Sequence, residues 1–173
     1  MAGMPTLGFL SAMNINDAFN RFLATGRASD QQSLPTISSA MDVGKPSNLE
    51  RISWLFRDNP EQLQHKISGD SIDDSETLRC MAEVHEETGY VLDPHSAVAY
   101  RVAQRHHDLK TGPTVVLATA HPAKFPSVVE TAISRKIEPP KELLSVMTRK
   151  EVFSKIKPLL GELENLLDET DPA

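Results

Sequence analysis

The chain has 173 residues, of which 39% are hydrophobic and 24% charged, with a formal net charge of −6. That length can bury roughly 70% of its unfolded surface around one core, and the negative balance argues against a nucleic-acid backbone or an anionic membrane as the main partner. The lone cysteine, Cys80, excludes an internal disulfide and a cysteine metal cage.

No apolar run approaches the roughly 20 residues that span a bilayer. The N-terminus has neither the basic start nor the long apolar stretch of a signal peptide, so a cytoplasmic location is expected. Met1-Ala2-Gly3-Met4-Pro5 reads as the capping glycine of a helix that runs straight into a strand. The chain is therefore expected to begin in mid-fold.

Thr6–Met13, with Leu7, Phe9, Leu10 and Ala12, reads as a short buried strand. Asn14 and Asn16 offer helix caps, and Asp17–Leu23 has helical spacing that stops at Gly26. Leu34–Ala40 reads as another short strand. In Ser47-Asn48-Leu49-Glu50 the hydroxyl and the carboxylate have the spacing of a capping box, and Leu49, Ile52 and Phe56 follow at helical spacing.

A strong helix follows Asp73-Asp74, running through Leu78, Met81, Ala82 and His85 to a closing Gly89. Asp93-Pro94 starts the next, with Asp93 as cap and Pro94 as first helical residue. Its body, Ala97–Ala103, is apolar over much of its circumference, which predicts burial on more than one side. Thr114–Thr119 is the clearest strand pattern in the chain, and a helix from about Pro126 to Ser134 follows it.

The last stretch carries Val152, Phe153, Ile156, Leu159, Leu160, Leu163, Leu166 and Leu167 on one helical face, with Pro158 splitting or kinking it. That face packs on the body or binds a partner. The alternation of strands and helices predicts an α/β fold with a parallel sheet of three or four strands.

Self-contained catalytic sets are absent from the sequence. The six histidines, His65, His85, His95, His106, His107 and His121, include no H-E-x-x-H spacing. His106-His107-Asp108 comes nearest to a metal cluster, but neighbouring helical histidines point apart, and no metal site is expected. There is no G-x-S-x-G elbow, no phosphate-binding G-x-x-x-x-G-K and no G-x-G-x-x-G. Mid-helix Cys80 reads as a packed thiol.

Two loops stand out. Ser38–Asn48 gathers Asp42, Gly44 and Lys45 ahead of a helix start, which suits either an anion or an ordinary capped loop. The other, ATAHPAKFPSVVE (Ala118–Glu130), leaves a strand through Thr119, His121 and Lys124 and enters a helix. Strand ends of this kind hold ligands in α/β folds. Here the residues point to a small anionic ligand, against the alternative of a satisfied histidine and a solvated lysine.

Taken in order, ISSAMDVGKPSNLERI (Ile37–Ile52), DPHSAVAYRVA (Asp93–Ala103) and ATAHPAKFPSVVE resemble the C-terminal part of threonine synthase of the longer bacterial and fungal type. FLSAMNINDAFNRFLATG (Phe9–Gly26) is similar to the segment just before them, so the resemblance covers about Gly3–Glu142. It implies a partial three-layer parallel-sheet domain of the tryptophan-synthase-like pyridoxal-phosphate fold over 1–148, with a helical tail at 149–173 packing on it.

The resemblance also implies pyridoxal 5′-phosphate as cofactor and O-phosphohomoserine as substrate, converted with water to threonine and phosphate. Thr119 would meet the pyridine nitrogen, where a neutral hydroxyl moderates the electron sink. Asp42, His121 and Lys124 would stand on the substrate side.

None of the nine lysines sits in the family's Schiff-base context, and no G-N-F-G-like phosphate cradle is present. The chain is thus expected to be a C-terminal fragment or subunit, inactive by itself, that needs a separate N-terminal half or else self-associates through an exposed sheet edge. The alternatives are a fragment of a threonine-synthase-like phospholyase and a non-catalytic remnant serving as an interaction module.

Overall fold

A computed structural model describes residues 6–28, 31–57, 60–106 and 112–170. The amino-terminal pentapeptide and the pair His107-Asp108 lie outside them. The chain divides into two compact units, 1–138 and 139–173.

The first unit is mixed α/β. Strand β1 (Phe9–Met13) leads into helix α1 (Ala18–Thr25), which Gly26 ends in the left-handed conformation at φ 68°. After a 3₁₀ turn at Ser39–Met41 come α2 (Leu49–Leu55), α3 (Pro60–Lys66) and strand β2 (Ile67–Ser71). β1 and β2 pair in parallel, from Phe9 opposite Ile67 to Met13 opposite Ser71. Parallel strands need a long crossover, and α1 to α3 supply it.

Next are α4 (Asp74–Thr88) and α5 (Pro94–His106). A second 3₁₀ turn at Pro122–Lys124 precedes α6 (Pro126–Ile133). The ends of α4 are set locally: the Asp73 carboxylate accepts from the Glu76 amide at 2.8 Å, and Gly89 closes the helix at φ 74°.

α5 explains its own composition. Ala97 packs with Cys80, Met81 and Val84 of α4 and Val129 of α6. On another side Val98 and Val102 pack with Ile72, against Leu10 and Ala12 of β1. A helix wedged between two apolar clusters has little use for a polar face. A third cluster joins Phe22 and Leu23 of α1 to Leu49 and Leu63.

Several sequence expectations are corrected. Thr6–Gly8 stay outside β1. Leu34–Ala40 forms no strand, because side chains take its backbone groups: Asn16 accepts from the Leu34 amide at 2.7 Å and donates to its carbonyl at 2.9 Å. The capping box at Ser47 and Glu50 does not form. Asn48 occupies the cap without a side-chain bond, and the Leu49 amide turns back to the Pro46 carbonyl at 3.3 Å.

The Thr114–Thr119 pattern is not built into a sheet either. Val115 is 81% and Leu117 73% exposed. A β-branched apolar run becomes a strand only beside another strand, and the sheet among the described residues has two strands rather than three or four.

In the second unit α7 (Lys141–Met147) precedes α8 (Leu160–Thr170). The stretch 151–157 is non-helical, so the apolar face read across Pro158 is helical only beyond it. No helix among the described residues is long and apolar enough to cross a membrane.

Candidate active-site wall

Where β1 ends, the chain builds a buried polar knot. The Asn14 amide donates to Asp42 Oδ1 at 2.8 Å, Thr36 Oγ1 at 2.8 Å and Ser38 Oγ at 3.0 Å. Its carbonyl oxygen accepts from the Asn16 side chain at 3.0 Å and the Asn16 backbone at 2.9 Å. Asp42 Oδ1 also accepts from Asn16 Nδ2 at 3.1 Å and Thr36 Oγ1 at 2.7 Å, and Oδ2 accepts from the Thr36 amide at 2.9 Å. A carboxylate with this many donors is committed to its own loop. Asp42 therefore shapes the 36–42 turn from inside.

Beside the knot an open groove of about 570 Å³ runs between β1, α1 and the start of α2, lined by Met13, Phe19, Met41, Val43, Ser47 and Asn48. Gly44 is fitted tightly nearby. A Cβ there would stand 2.0 Å from the Gln31 carbonyl oxygen, and the Gly44 amide donates to Ser33 Oγ at 2.9 Å.

The turn at Ser39–Met41 is held from across the fold. The Ala40 amide donates to His95 Nε2 at 3.1 Å. An amide only donates, so Nε2 carries the lone pair, and Nδ1 carries the proton it gives to Asp93 Oδ1 at 2.9 Å. Asp93 Oδ1 also accepts from the His95 backbone at 2.9 Å, and Ser96 Oγ donates to Oδ2. One carboxylate thus caps α5 and fixes an imidazole. Asp93 and His95 are 1% and 5% exposed. The imidazole meets the Phe125 ring at 4.8 Å between centroids, tilted by 53°.

Phe125 belongs to the loop of Thr119, His121 and Lys124. All three of those side chains are exposed. His121 Nδ1 accepts from the Ala123 amide at 3.1 Å, capping the second 3₁₀ turn. The three motif stretches therefore meet at one imidazole, through Ala40, Asp93 with His95, and Phe125. Sequence reasoning missed His95, Asn14 and Asn16 as members of this arrangement. The Asp-x-His spacing at a helix start was the available signal.

A family model described as "Threonine synthase, C-terminal" matches residues 96–166. The threonine synthase of Escherichia coli strain K12 is 40% identical over 142 residues, 82% of this chain and 32% of that protein. The crystal structure of the Escherichia coli enzyme superposes with a TM-score of 0.80 and 34% identity, covering 98% of this chain and 39% of that one. The chain matches the C-terminal portion of the threonine synthase family.

A pyridoxal-phosphate-bound threonine synthase from Brucella melitensis gives a TM-score of 0.82 at 29% identity, covering 96% of this chain and 41% of that one. The chain thus spans about a third of the curated threonine synthases it matches, and the likeness carries the expected tryptophan-synthase-like fold class. Its residues fit the family's cofactor on one side only. Thr119 offers an exposed hydroxyl, whereas every lysine among the described residues is exposed, unlike a desolvated imine-forming amine.

Proposed function

We propose that this chain forms the C-terminal wall of a threonine synthase active site, where O-phosphohomoserine and water become threonine and phosphate. The observation that carries the reading is the meeting of the 36–42 and 119–125 loops on His95. Pyridoxal phosphate, when bound, supplies the electron sink. Thr119 would hold the pyridine nitrogen through its hydroxyl. Asp42 keeps the 36–42 turn facing the substrate, and His121 and Lys124 stand toward the substrate phosphate, where an exposed ammonium is a ready counter-charge. The cofactor's lysine and its phosphate cradle come from the N-terminal portion of the fold, in the same polypeptide or in another.

The 173-residue chain by itself is therefore expected to release no phosphate from O-phosphohomoserine. Co-expressed with the N-terminal portion of a relative's threonine synthase, it is expected to release phosphate and threonine in equal amounts. A folded complex that releases no phosphate overturns the reading, and 2-oxobutanoate in place of threonine makes the pair a phospholyase.

A second reading, an interaction module without catalysis, draws on the exposure of Leu7, Phe9, Val115 and Leu117. It predicts that the chain takes up another partner in preference to the N-terminal portion, which competition on a sizing column measures. A clean monomer unaffected by either partner overturns it.

A further inference from the structure

We infer that His95 is a positioning residue: its neutral, Nδ1-protonated imidazole sets the register of the two loops that the proposed active site uses. The inference rests on the functional reading only in treating those loops as walls of one site.

Ala40 and His95 are 55 positions apart in the chain, and their contact is a single N–H donated to a ring nitrogen. A ring nitrogen has one lone pair in one direction, so the amide can be satisfied only where the imidazole points. Where the imidazole points is fixed by Asp93, which holds Nδ1–H at 2.9 Å while capping α5. The same ring packs against Phe125, 4.8 Å between centroids and tilted by 53°. Phe125 in turn is the residue at which the 3₁₀ turn at Pro122–Lys124 passes into α6, and its amide donates to the Pro122 carbonyl at 2.9 Å. Rotating or removing the ring frees one loop at its backbone and the other at its aromatic anchor.

A packing residue and a positioning residue respond differently to substitution. His95→Leu fills the volume and keeps a surface for Phe125 but offers no acceptor. His95→Gln reaches with its amide oxygen to about the place of Nε2. Amide hydrogen exchange is to be measured on the whole folded chain, at Ala40, at Lys124 and Phe125, and at Met81 and Val84 of α4 as core references.

His95→Leu is expected to speed exchange at Ala40 by roughly tenfold, the loss of one net hydrogen bond. Lys124 and Phe125 should follow, with α4 unchanged. His95→Gln is expected to restore protection at Ala40. Nitrogen shifts of the His95 ring in the wild type should show a protonated Nδ1 and an unprotonated Nε2.

Unchanged protection at Ala40 in His95→Leu overturns the inference. So does a His95→Gln variant no better than His95→Leu, an equal acceleration throughout α4, or a protonated Nε2. Failure of the complemented enzyme to make threonine would leave these exchange rates readable, so the two proposals fail separately.

Discussion

Asn14 and Asp42 are joined by a 2.8 Å hydrogen bond that closes the end of the first strand onto the turn that follows the 3₁₀ segment. Asn14 is 1% exposed, and its amide oxygen is engaged by Asn16 on the other side. Removing Asp42 takes the acceptor from several donors, and removing Asn14 takes a donor from Asp42, Thr36 and Ser38 and an acceptor from Asn16. Asn14→Ala and Asp42→Ala are each expected to lower stability by roughly 1–3 kcal/mol. Because the two side chains share partners, the double variant should cost less than the sum of the singles. Urea unfolding of the four proteins checks this, and strict additivity would count against a shared network.

Two glycines sit in equally tight places for different reasons. A Cβ at Gly44 would meet the backbone carbonyl of Gln31 at 2.0 Å, while one at Gly69 would meet the side-chain oxygen of Asn20 at 2.0 Å. Backbone does not step aside as a side chain does. Gly44→Ala is expected to destabilise by roughly 1–3 kcal/mol and Gly69→Ala by less. The Asn20 amide is buried with neither polar atom hydrogen-bonded, so Asn20→Ala should be mild and should rescue Gly69→Ala. Thermal melts of the three variants and the pair test the ranking.

The Cys80 thiol is sealed under α5, where its Sγ lies 3.5 Å from the Ala97 carbonyl oxygen. Burial pushes its pKa up to about 11. At about pH 8 it should be almost wholly protonated and slow to alkylate, since only the thiolate attacks. Iodoacetamide labelling is expected to track unfolding, becoming fast only in denaturant. Labelling of the native chain at the rate of a free thiol would refute this.

Acid should loosen the contact between β2 and α5. Burial alone would raise the Asp70 carboxyl, but the Ser71 amide and the Arg105 guanidinium outweigh it and hold it below its ordinary value. Arg105 lies 3.1 Å from Asp70 and also pairs with Glu76. A folded-state value lowered in this way adds stability above the unfolded carboxylate value of about 3.9, and that stability is lost as the pH falls through the lower folded value. Asp70→Asn should cost at most about 1 kcal/mol at neutral pH, the group being partly exposed. It should also flatten the acid limb of a stability–pH curve. An acid limb identical to the wild type would remove Asp70 from the account.

The legible parts of the fold were those written locally. Asp73 and Gly89 bracket α4, and Asp93-Pro94 opens α5, because caps act within a turn of the residues they serve. Strands were the reverse. Thr114–Thr119 carries a strand pattern yet stays outside the two-stranded sheet of the described residues. β2, with Gly69 and Asp70 at its centre, carries almost none and still pairs along its whole length with β1. α3 was missed because Pro60–Lys66 shows one buried apolar residue, Leu63.

The site divides the same way. Thr119, His121 and Lys124 were visible as a polar loop after an apolar run. The inward commitment of Asp42 depends on Asn14, 28 positions earlier, and nothing in either local pattern announces it.

The bond from Ala40 to His95 carries a consequence for anyone exchanging segments among these proteins. The turn at Ser39–Met41 is docked by a side chain rather than by a backbone group, so its docking is inherited with Asp93 and His95 and not with its own stretch of chain. A chimaera that imports 34–48 from a relative keeps this docking only where the host retains Asp93 and His95. The two stretches form one heritable part, written in two places.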